Sequence, residues 1–337
     1  MSTPMSKFRN FFRIRRRRPS SKKREPPKED NKTEPVEQES ETLKINPVDP
    51  EVIPTPLEEG QKASYFHVGG CAKECLLQGF KLGVWQLICT SITNNDYHLS
   101  TFGEAYPEAR DVFGGVEVFK EIGNFTLAQS WLTPREFLTE LTLNSGSSYG
   151  AIQTSILTKD EVTFKGKLKC GFELSPLKVE LVVPFYKEPH VMGYVVAAPV
   201  ENCLVGYRTV YNLEERAFDM HALCLGYYNG NTEVGLKLEN FKNLRGSIFQ
   251  RISESWALAL KANLYSSENL KQVSVGGQYD FGNGTLLKVR LREDSRIGVV
   301  YQGKVSENLH VMYHVGFDLA DPIGGAHKMG ASLEFQC

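Results

Sequence analysis

The stretch LHVMYHVGFDL, residues 309–319, decides the fold. Its odd positions are Leu309, Val311, Tyr313, Val315, Phe317 and Leu319, and its even ones are His310, Met312, His314, Gly316 and Asp318. A period of two, large apolar side chains against mostly polar or small ones, belongs to a strand with one greasy and one hydrated face. The same period recurs on both sides. In Val162–Leu174 the even positions are Val162, Phe164, Gly166, Leu168, Cys170, Phe172 and Leu174, while the odd ones include Thr163, Lys165, Lys167, Lys169 and Glu173. It returns in residues 177–185, 273–281, 287–292 and 327–335. Turn formers stand between such runs: Asn94-Asn95-Asp96, residues 144–148, Asn229-Gly230 and Asn283-Gly284. Units of roughly fourteen residues over about 258 residues give eighteen or nineteen strands without an intervening helix, which predicts an all-antiparallel meander.

Composition alone suggests a soluble protein: hydrophobic residues make up 41%, charged residues 23%, and mean hydropathy is -0.31. No window approaches the ~20 apolar residues that a membrane helix needs. In a barrel strand, however, the lipid-facing half is diluted by the lumen-facing half. Soluble barrels of about eight strands fill their interior with side chains, and the polar face here is too long and too charged for that. The apolar face, left in water, would be a patch far beyond a few hundred Å². Closing the sheet in lipid with its polar side inward satisfies both faces and removes the edges.

Residues 1–60 are of another kind. They hold nine of the sixteen prolines, and their charge comes in blocks: ten Lys/Arg against one acid over residues 1–27, then three against ten over residues 28–60. Such a segment buries too little apolar surface to offset its ordering entropy and reads as disordered. The run RIRRRRPSSKKR, residues 13–24, is compatible with a nuclear-localisation signal, nucleic-acid contact, attraction to anionic lipid headgroups, or a solvated tail drawn to its own acidic half. The nearly acid-free first 27 residues also have the composition of a transit peptide. Residues 63–79 then show helical spacing, with Tyr65, Val68, Ala72, Cys75 and Leu76 on one stripe and Lys73, Glu74 and Gln78 off it.

The seven cysteines are scattered, with no C-x-x-C pair, and read neither as a disulfide framework nor as a metal set. Gly146-Ser147-Ser148-Tyr149-Gly150 fits G-x-S-x-G, but a nucleophile elbow needs a helix after it; the strand-like alternation of residues 152–158 makes it a hairpin turn. No cofactor and no nucleic-acid partner is expected.

From about Ser64 to the end, the chain resembles the voltage-dependent anion channels, the mitochondrial porins. Ser64-Tyr65, Gly69, Ala72, Lys73, Gly79-Phe80 and Gly83 are similar to that family's N-terminal helix and glycine hinge. Residues 246–250 (GSIFQ), Ile297-Gly298 with Tyr301, and the ending from Gly324 through His327, Lys328, Gly330, Leu333 and Phe335 resemble its C-terminal half and a mitochondrial barrel-insertion signal. The resemblance implies an all-β transmembrane barrel of nineteen strands, the family's known number, closed by its first and last strands. It implies a disordered charged tail over 1–62, an amphipathic pore helix over 63–79 and the barrel over 80–337. The function implied is voltage-gated passage of small metabolites (nucleotides, phosphate) and inorganic ions through the mitochondrial outer membrane. Lipids are the surroundings, and other outer-membrane or cytosolic proteins are candidate partners for the tail.

Site residues follow from the same resemblance. Lys73, Gly79, Lys81 and Gly83 are pore and gating positions. Nucleotide contacts fall on Arg296, Ile297 and Gly298 and on His314, Val315, Gly316, Phe317 and Asp318; parity turns Arg296, Gly298, His314, Gly316 and Asp318 inward. Parity also gives inward Lys165, Lys167, Lys169, Lys288, Arg290 and Arg292, opposed by Glu173, Glu180, Asp318 and Glu334, so selectivity is expected near neutral or weakly anionic. Three departures stand out: Gly70 and Gln78 replace helix lysines, Lys81 replaces the hinge's middle glycine, and Gln129 stands where the family keeps a lipid-facing glutamate. Two other expectations share the fold, a docking platform that recruits partners through its tail and a protein-import barrel.

Overall fold

The structure, a computed structural model, describes residues 52–54, 63–133, 135–158, 162–266, 272–325 and 327–337. Apart from residues 52–54, the segment read as a disordered tail lies outside the described residues.

Among the described residues, a 3-10 turn at Tyr65–His67 and one helix, α1 (Gly70–Leu77), are followed by strands only. The first five are β1 (Trp85–Ile92), β2 (Tyr97–Tyr106), β3 (Asp111–Ile122), β4 (Phe125–Leu132) and β5 (Glu136–Ser145). Next come β6 (Ser148–Thr158), β7 (Val162–Leu174), β8 (Leu177–Tyr186), β9 (His190–Ala197) and β10 (Cys203–Asn212). They are followed by β11 (Ala217–Asn229), β12 (Thr232–Glu239), β13 (Asn243–Arg251), β14 (Trp256–Ser266) and β15 (Val273–Asp280). The last four are β16 (Leu286–Arg292), β17 (Arg296–Ser306), β18 (Leu309–Asp318) and β19 (Lys328–Gln336).

Each strand pairs with its sequence neighbours, and β1 pairs with β19, so the 19-stranded sheet closes into a barrel. The closing pair runs parallel, from Trp85 opposite Ala331 to Thr90 opposite Gln336. This corrects the all-antiparallel expectation, and the reason is arithmetic. In a meander with an odd number of strands the first and last point the same way, so the seam cannot be antiparallel.

Register carries the two faces around the barrel, because residues directly opposite share a face. Ser100 pairs with Glu117, Glu117 with Ser130, Ser130 with Leu138 and Leu138 with Ser155, a continuous inward row. The outward row holds Trp85, Leu87, Val116, Phe125, Leu127, Trp131, Leu141 and Phe172, all exposed and all suited to acyl chains. The turn at residues 145–148 joins β5 to β6, strand to strand, so the G-x-S-x-G match carries no elbow.

Helical spacing predicted one helix over residues 63–79. The chain instead breaks at Gly69, which sits at φ +71° between the 3-10 turn and α1. A side chain there would meet strain twice, from the left-handed backbone and from Ser247 Oγ 2.7 Å from its Cβ. The break leaves the apolar stripe intact: Tyr65, Val68, Ala72, Cys75 and Leu76 are all buried.

Candidate functional site: the lumen and its docked helix

The stripe seats the N-terminal segment on the inner wall in two patches. Tyr65 and Val68 pack with Tyr194, Val196, Val210, Met220, Ala222 and Cys224 of β9–β11. Ala72, Cys75 and Leu76 pack with Phe249, Ala257 and Ala259 of β13 and β14. Apolar residues on the lumen face of a polar-lined barrel thus mark the seat of the helix.

Charges on the wall fix its polarity. At the start of α1 the Glu233 carboxylate accepts hydrogen bonds from the backbone N–H groups of Gly70 (2.9 Å), Cys71 (2.7 Å) and Ala72 (3.4 Å). Toward its end Lys288 Nζ donates to the Glu74 carbonyl at 2.9 Å, and Arg290 Nη1 donates to the Leu76 carbonyl at 2.7 Å. A helix leaves N–H groups unsatisfied at its start and carbonyls at its end, with partial charges of matching sign. An acid at one end and two bases at the other satisfy both sets; a reversed helix would meet like charges. Lys73, expected as a pore and gating position, is buried on the lumen wall, its Nζ donating to the Phe66 carbonyl at 3.1 Å. That carbonyl lies just before the break at Gly69, outside the α1 ladder, and the lysine satisfies it.

The hinge follows. Gly79 (φ +87°) and Gly83 (φ +78°) flank Lys81, whose Nζ lies 3.2 Å from Glu104 Oε1 and also donates to Gln86 Oε1. Gln86 Nε2 donates to the same Glu104 oxygen at 2.7 Å, while Tyr106 Oη donates to the other. The Arg290 guanidinium stands 4.2 Å from the centre of the Phe80 ring.

The positions given to nucleotide contact divide. A Cβ on Gly298 would meet Phe80 at 2.8 Å, and one on Gly316 would meet Leu82 at 2.8 Å, so the hinge segment lies over both. His314 is fully buried, and neither ring nitrogen has a hydrogen-bond partner among the described residues. Arg296 and Asp318 are register partners at the barrel rim, with Arg296 Nη1 3.6 Å from Asp294. Ile297, Val315 and Phe317 alternate to the outer face, a correction to the expected contact set, since a strand turns neighbouring side chains to opposite sides.

Of the inward bases, Lys169 meets Glu140 at 3.1 Å, Lys167 meets Glu188 at 3.7 Å, and Arg292 lies 3.9 Å from Asp294. Lys178, not singled out in the sequence, lies 3.4 Å from Glu173 and 3.7 Å from Glu180. Lys165 shares their face, half-buried. Much of the lysine row is therefore offset locally. Gln129 lies with Phe125, Leu127 and Trp131 on the outer face, opposite Val118 and Thr139.

Sequence reasoning missed Glu233, Glu104, Glu140 and Glu188. Alternation in β12 does turn Glu233, Gly235, Lys237 and Glu239 to one face, but nothing local to that strand signals a helix docked on it.

The model of the eukaryotic porin family matches residues 62–330. The chain belongs to that family. A voltage-dependent anion-selective channel of Drosophila melanogaster is 22% identical to this porin over 292 residues, covering 81% of this chain and 98% of the relative. A non-selective voltage-gated ion channel, VDAC2, of Xenopus laevis and another, VDAC3, of Homo sapiens are each 21% identical over 278 residues, with the same coverage. Among solved structures, a mutant of the Rh. blastica porin aligns with a TM-score of 0.45 at 9% identity, over 69% of this chain and 96% of that one, too distant to argue from. The seat, the hinge and nearly the whole barrel of this porin lie inside the matched span.

Proposed function

We propose that this porin is a voltage-gated, wide, passive channel of the mitochondrial outer membrane, passing nucleotides, phosphate and inorganic ions. The observation that carries the reading is the docked helix, an element laid inside a closed barrel and held at both ends by wall charges of matching sign. A helix held by a handful of polar bonds on a lumen wall has a second, undocked state within reach. Charge that moves with it couples to the membrane potential by about 2.3 kcal/mol per elementary charge per 100 mV. Passage itself needs no bond chemistry; the lumen sorts solutes by size and fixed charge. Local pairing of Lys167, Lys169 and Lys178 with carboxylates supports weak rather than strong anion preference.

Reconstitution of the full chain in planar bilayers tests the reading. Large, stable conductance steps that close symmetrically or asymmetrically with voltage are expected, with a small reversal potential in a salt gradient. A polypeptide that dissolves without detergent and forms no pore ends it.

A further inference from the structure

A polar cluster stands on the outer face of β10 and β11, among residues suited to lipid. The outer row there holds Val205, Tyr207, Leu223 and Leu225, all exposed, while Arg208, Val210, Ala222 and Cys224 alternate inward and are buried. His221 shares the outer face, opposite Thr209. Tyr207 Oη lies 2.6 Å from His221 Nδ1, and Thr209 Oγ1 lies 3.5 Å from it. Two rings flank the imidazole, Tyr207 at 6.1 Å and 16° and Phe218 at 4.9 Å and 40°. Both hydroxyls can donate to Nδ1, which puts the ring proton on Nε2. Nε2 has no partner among the described residues. An N–H turned to hydrocarbon without an acceptor costs several kcal/mol.

The cluster sits on a ledge in the barrel rim. β11 starts at Ala217, about 14 Å along the strand beyond His221, whereas its neighbour β12 stops at Glu239. Asn240 closes the gap: its Oδ1 accepts from the His221 N–H at 2.7 Å, and its own N–H donates to the His221 carbonyl at 2.7 Å. The turn it begins is strained. Asn240 and Phe241 have φ +49° and +54°, in a turn closed by the Lys242 N–H on the Glu239 carbonyl at 2.9 Å. Turns of this kind favour glycine at the second central position. A phenylalanine there is a backbone outlier, and this one is 72% exposed. Aromatic rings at barrel ends belong to the membrane interface, so the ledge lies at headgroup depth. Lys242 is exposed and enters no ion pair among the described residues. The acids of β10–β12 are engaged elsewhere: Asp219 with His190 at 3.0 Å, Glu239 with Arg245 at 3.0 Å, and Glu233 with the helix. Glu214 and Glu215 sit past Asn212, on the tip of the projecting hairpin with Arg216.

We propose that this ledge binds the phosphodiester of a membrane phospholipid. His221 Nε2 and Lys242 donate to its non-bridging oxygens, and the Phe241 ring sets among the glycerol and upper acyl carbons. An anionic oxygen supplies the acceptor that Nε2 lacks, and bonds to an ionised acceptor are the strong ones. Lys242 supplies the counter-charge. The outer row of His221 and Thr209 runs on to Gly193 in β9, between the larger rows Tyr207–Val195 and Tyr211–Val191. Those small residues leave a shallow track for an acyl chain. A free phosphate would satisfy the donors but leave the track empty, which favours the lipid.

This inference rests on the reading of the chain as a lipid-inserted channel, and one set of proteins tests the two separately. The full chain in detergent is incubated with dioleoylphosphatidylglycerol and released for native mass spectrometry. Retained phosphatidylglycerol is expected, and an excess of inorganic phosphate should not displace it. Dioleoylglycerol, with the same chains and no phosphate, should not be retained. His221→Leu combined with Lys242→Gln should lower the bound fraction about tenfold. Phe241→Gly should also lower it while raising the urea concentration at which the barrel unfolds, because it relieves the turn. Equal retention by every variant overturns the inference, as does dioleoylglycerol held equally well or displacement by inorganic phosphate. Dimers in place of lipid adducts also overturn it, by making the face a contact between copies. A phosphatidyl lipid with a photoreactive headgroup gives a check on the unaltered protein. Links to residues 207–221 or 240–242 are expected, and links confined to other parts of the barrel refute the site. Planar-bilayer recordings of the same proteins keep the channel reading apart: pores are expected from all of them, and no pore even from the unaltered chain sinks that reading.

Discussion

Lys81 Nζ stands 3.2 Å from Glu104 Oε1, and the pair ties the hinge to the second strand of the barrel. Glu104 is almost fully buried and is further held by Gln86 and Tyr106. Between two glycines in the left-handed region, where the backbone is freest to swing, the sequence places a side chain that straps the swing to the wall.

Replacing Lys81 with glycine removes the strap and leaves a continuous flexible hinge. A buried carboxylate without its cation is costly, so Glu104→Gln is added to the same chain to keep the wall satisfied. Voltage scans in planar bilayers should then show closure beginning at smaller potentials than in the unaltered protein. A closure curve that does not move removes Lys81 from the gating account.

Glu233→Gln tests the seat of the helix. The carboxylate accepts three backbone N–H bonds, from Gly70 on one oxygen and from Cys71 and Ala72 on the other; an amide can accept on one side only, sets an NH2 against an N–H on the other, and discards the charge that complements the helix dipole. A loss of about 2 kcal/mol raises the undocked population some 30-fold. Cys75 reports it. Burial pushes its thiol up to about 11, against the pull of Lys288, so the docked helix protects it from alkylation at neutral pH. Maleimide labelling mapped by mass spectrometry should be slow at Cys75 in the unaltered protein and markedly faster in the variant. Equal rates would mean that Glu233 does not hold the helix.

What the sequence disclosed and what it hid divide by distance along the chain. Alternation over residues 309–319 is a local property, so β18 emerges at nearly its observed bounds, as do β7 and β8. The parallel seam turns on whether the strand number is odd, and a repeat of roughly fourteen residues leaves eighteen and nineteen equally open. The inward lysines of β7 were legible by parity, but their carboxylate partners come from β5 and from the loop after β8. The helix seat was hidden most thoroughly. Gly70 and Glu233 are 163 residues apart, and Leu76 and Arg290 are 214 apart; no periodicity within either strand announces such a bond. The break at Gly69 was half visible, since Gly69-Gly70 weakens a helix, but the contact with Ser247 that makes glycine obligatory is again tertiary.

Pairing within the wall predicts how selectivity responds. Lys169 and Glu140 are partly screened, and their mutual energy is small, but each contributes a fixed unit charge to the lumen. Lys169→Gln should move the reversal potential toward cations and Glu140→Gln toward anions. The double variant should return close to the starting value. A double variant that stays as displaced as either single one would show that the two charges face different parts of the path.

Gln129 gives the last prediction. It lies in the middle of β4 on the face that carries Phe125, Leu127 and Trp131, with Val118 and Thr139 beside it. An amide in hydrocarbon is costly, and a carboxylate is costlier; Gln129→Glu should destabilise the inserted barrel by on the order of 1–2 kcal/mol. Thin bilayers let water and headgroups approach the mid-strand position, so the penalty should shrink as lipid chains shorten. Urea unfolding of both proteins from vesicles of two acyl-chain lengths measures the difference. A penalty independent of thickness would mean that Gln129 does not face the hydrocarbon, and the outward assignment of β4 would have to be reversed.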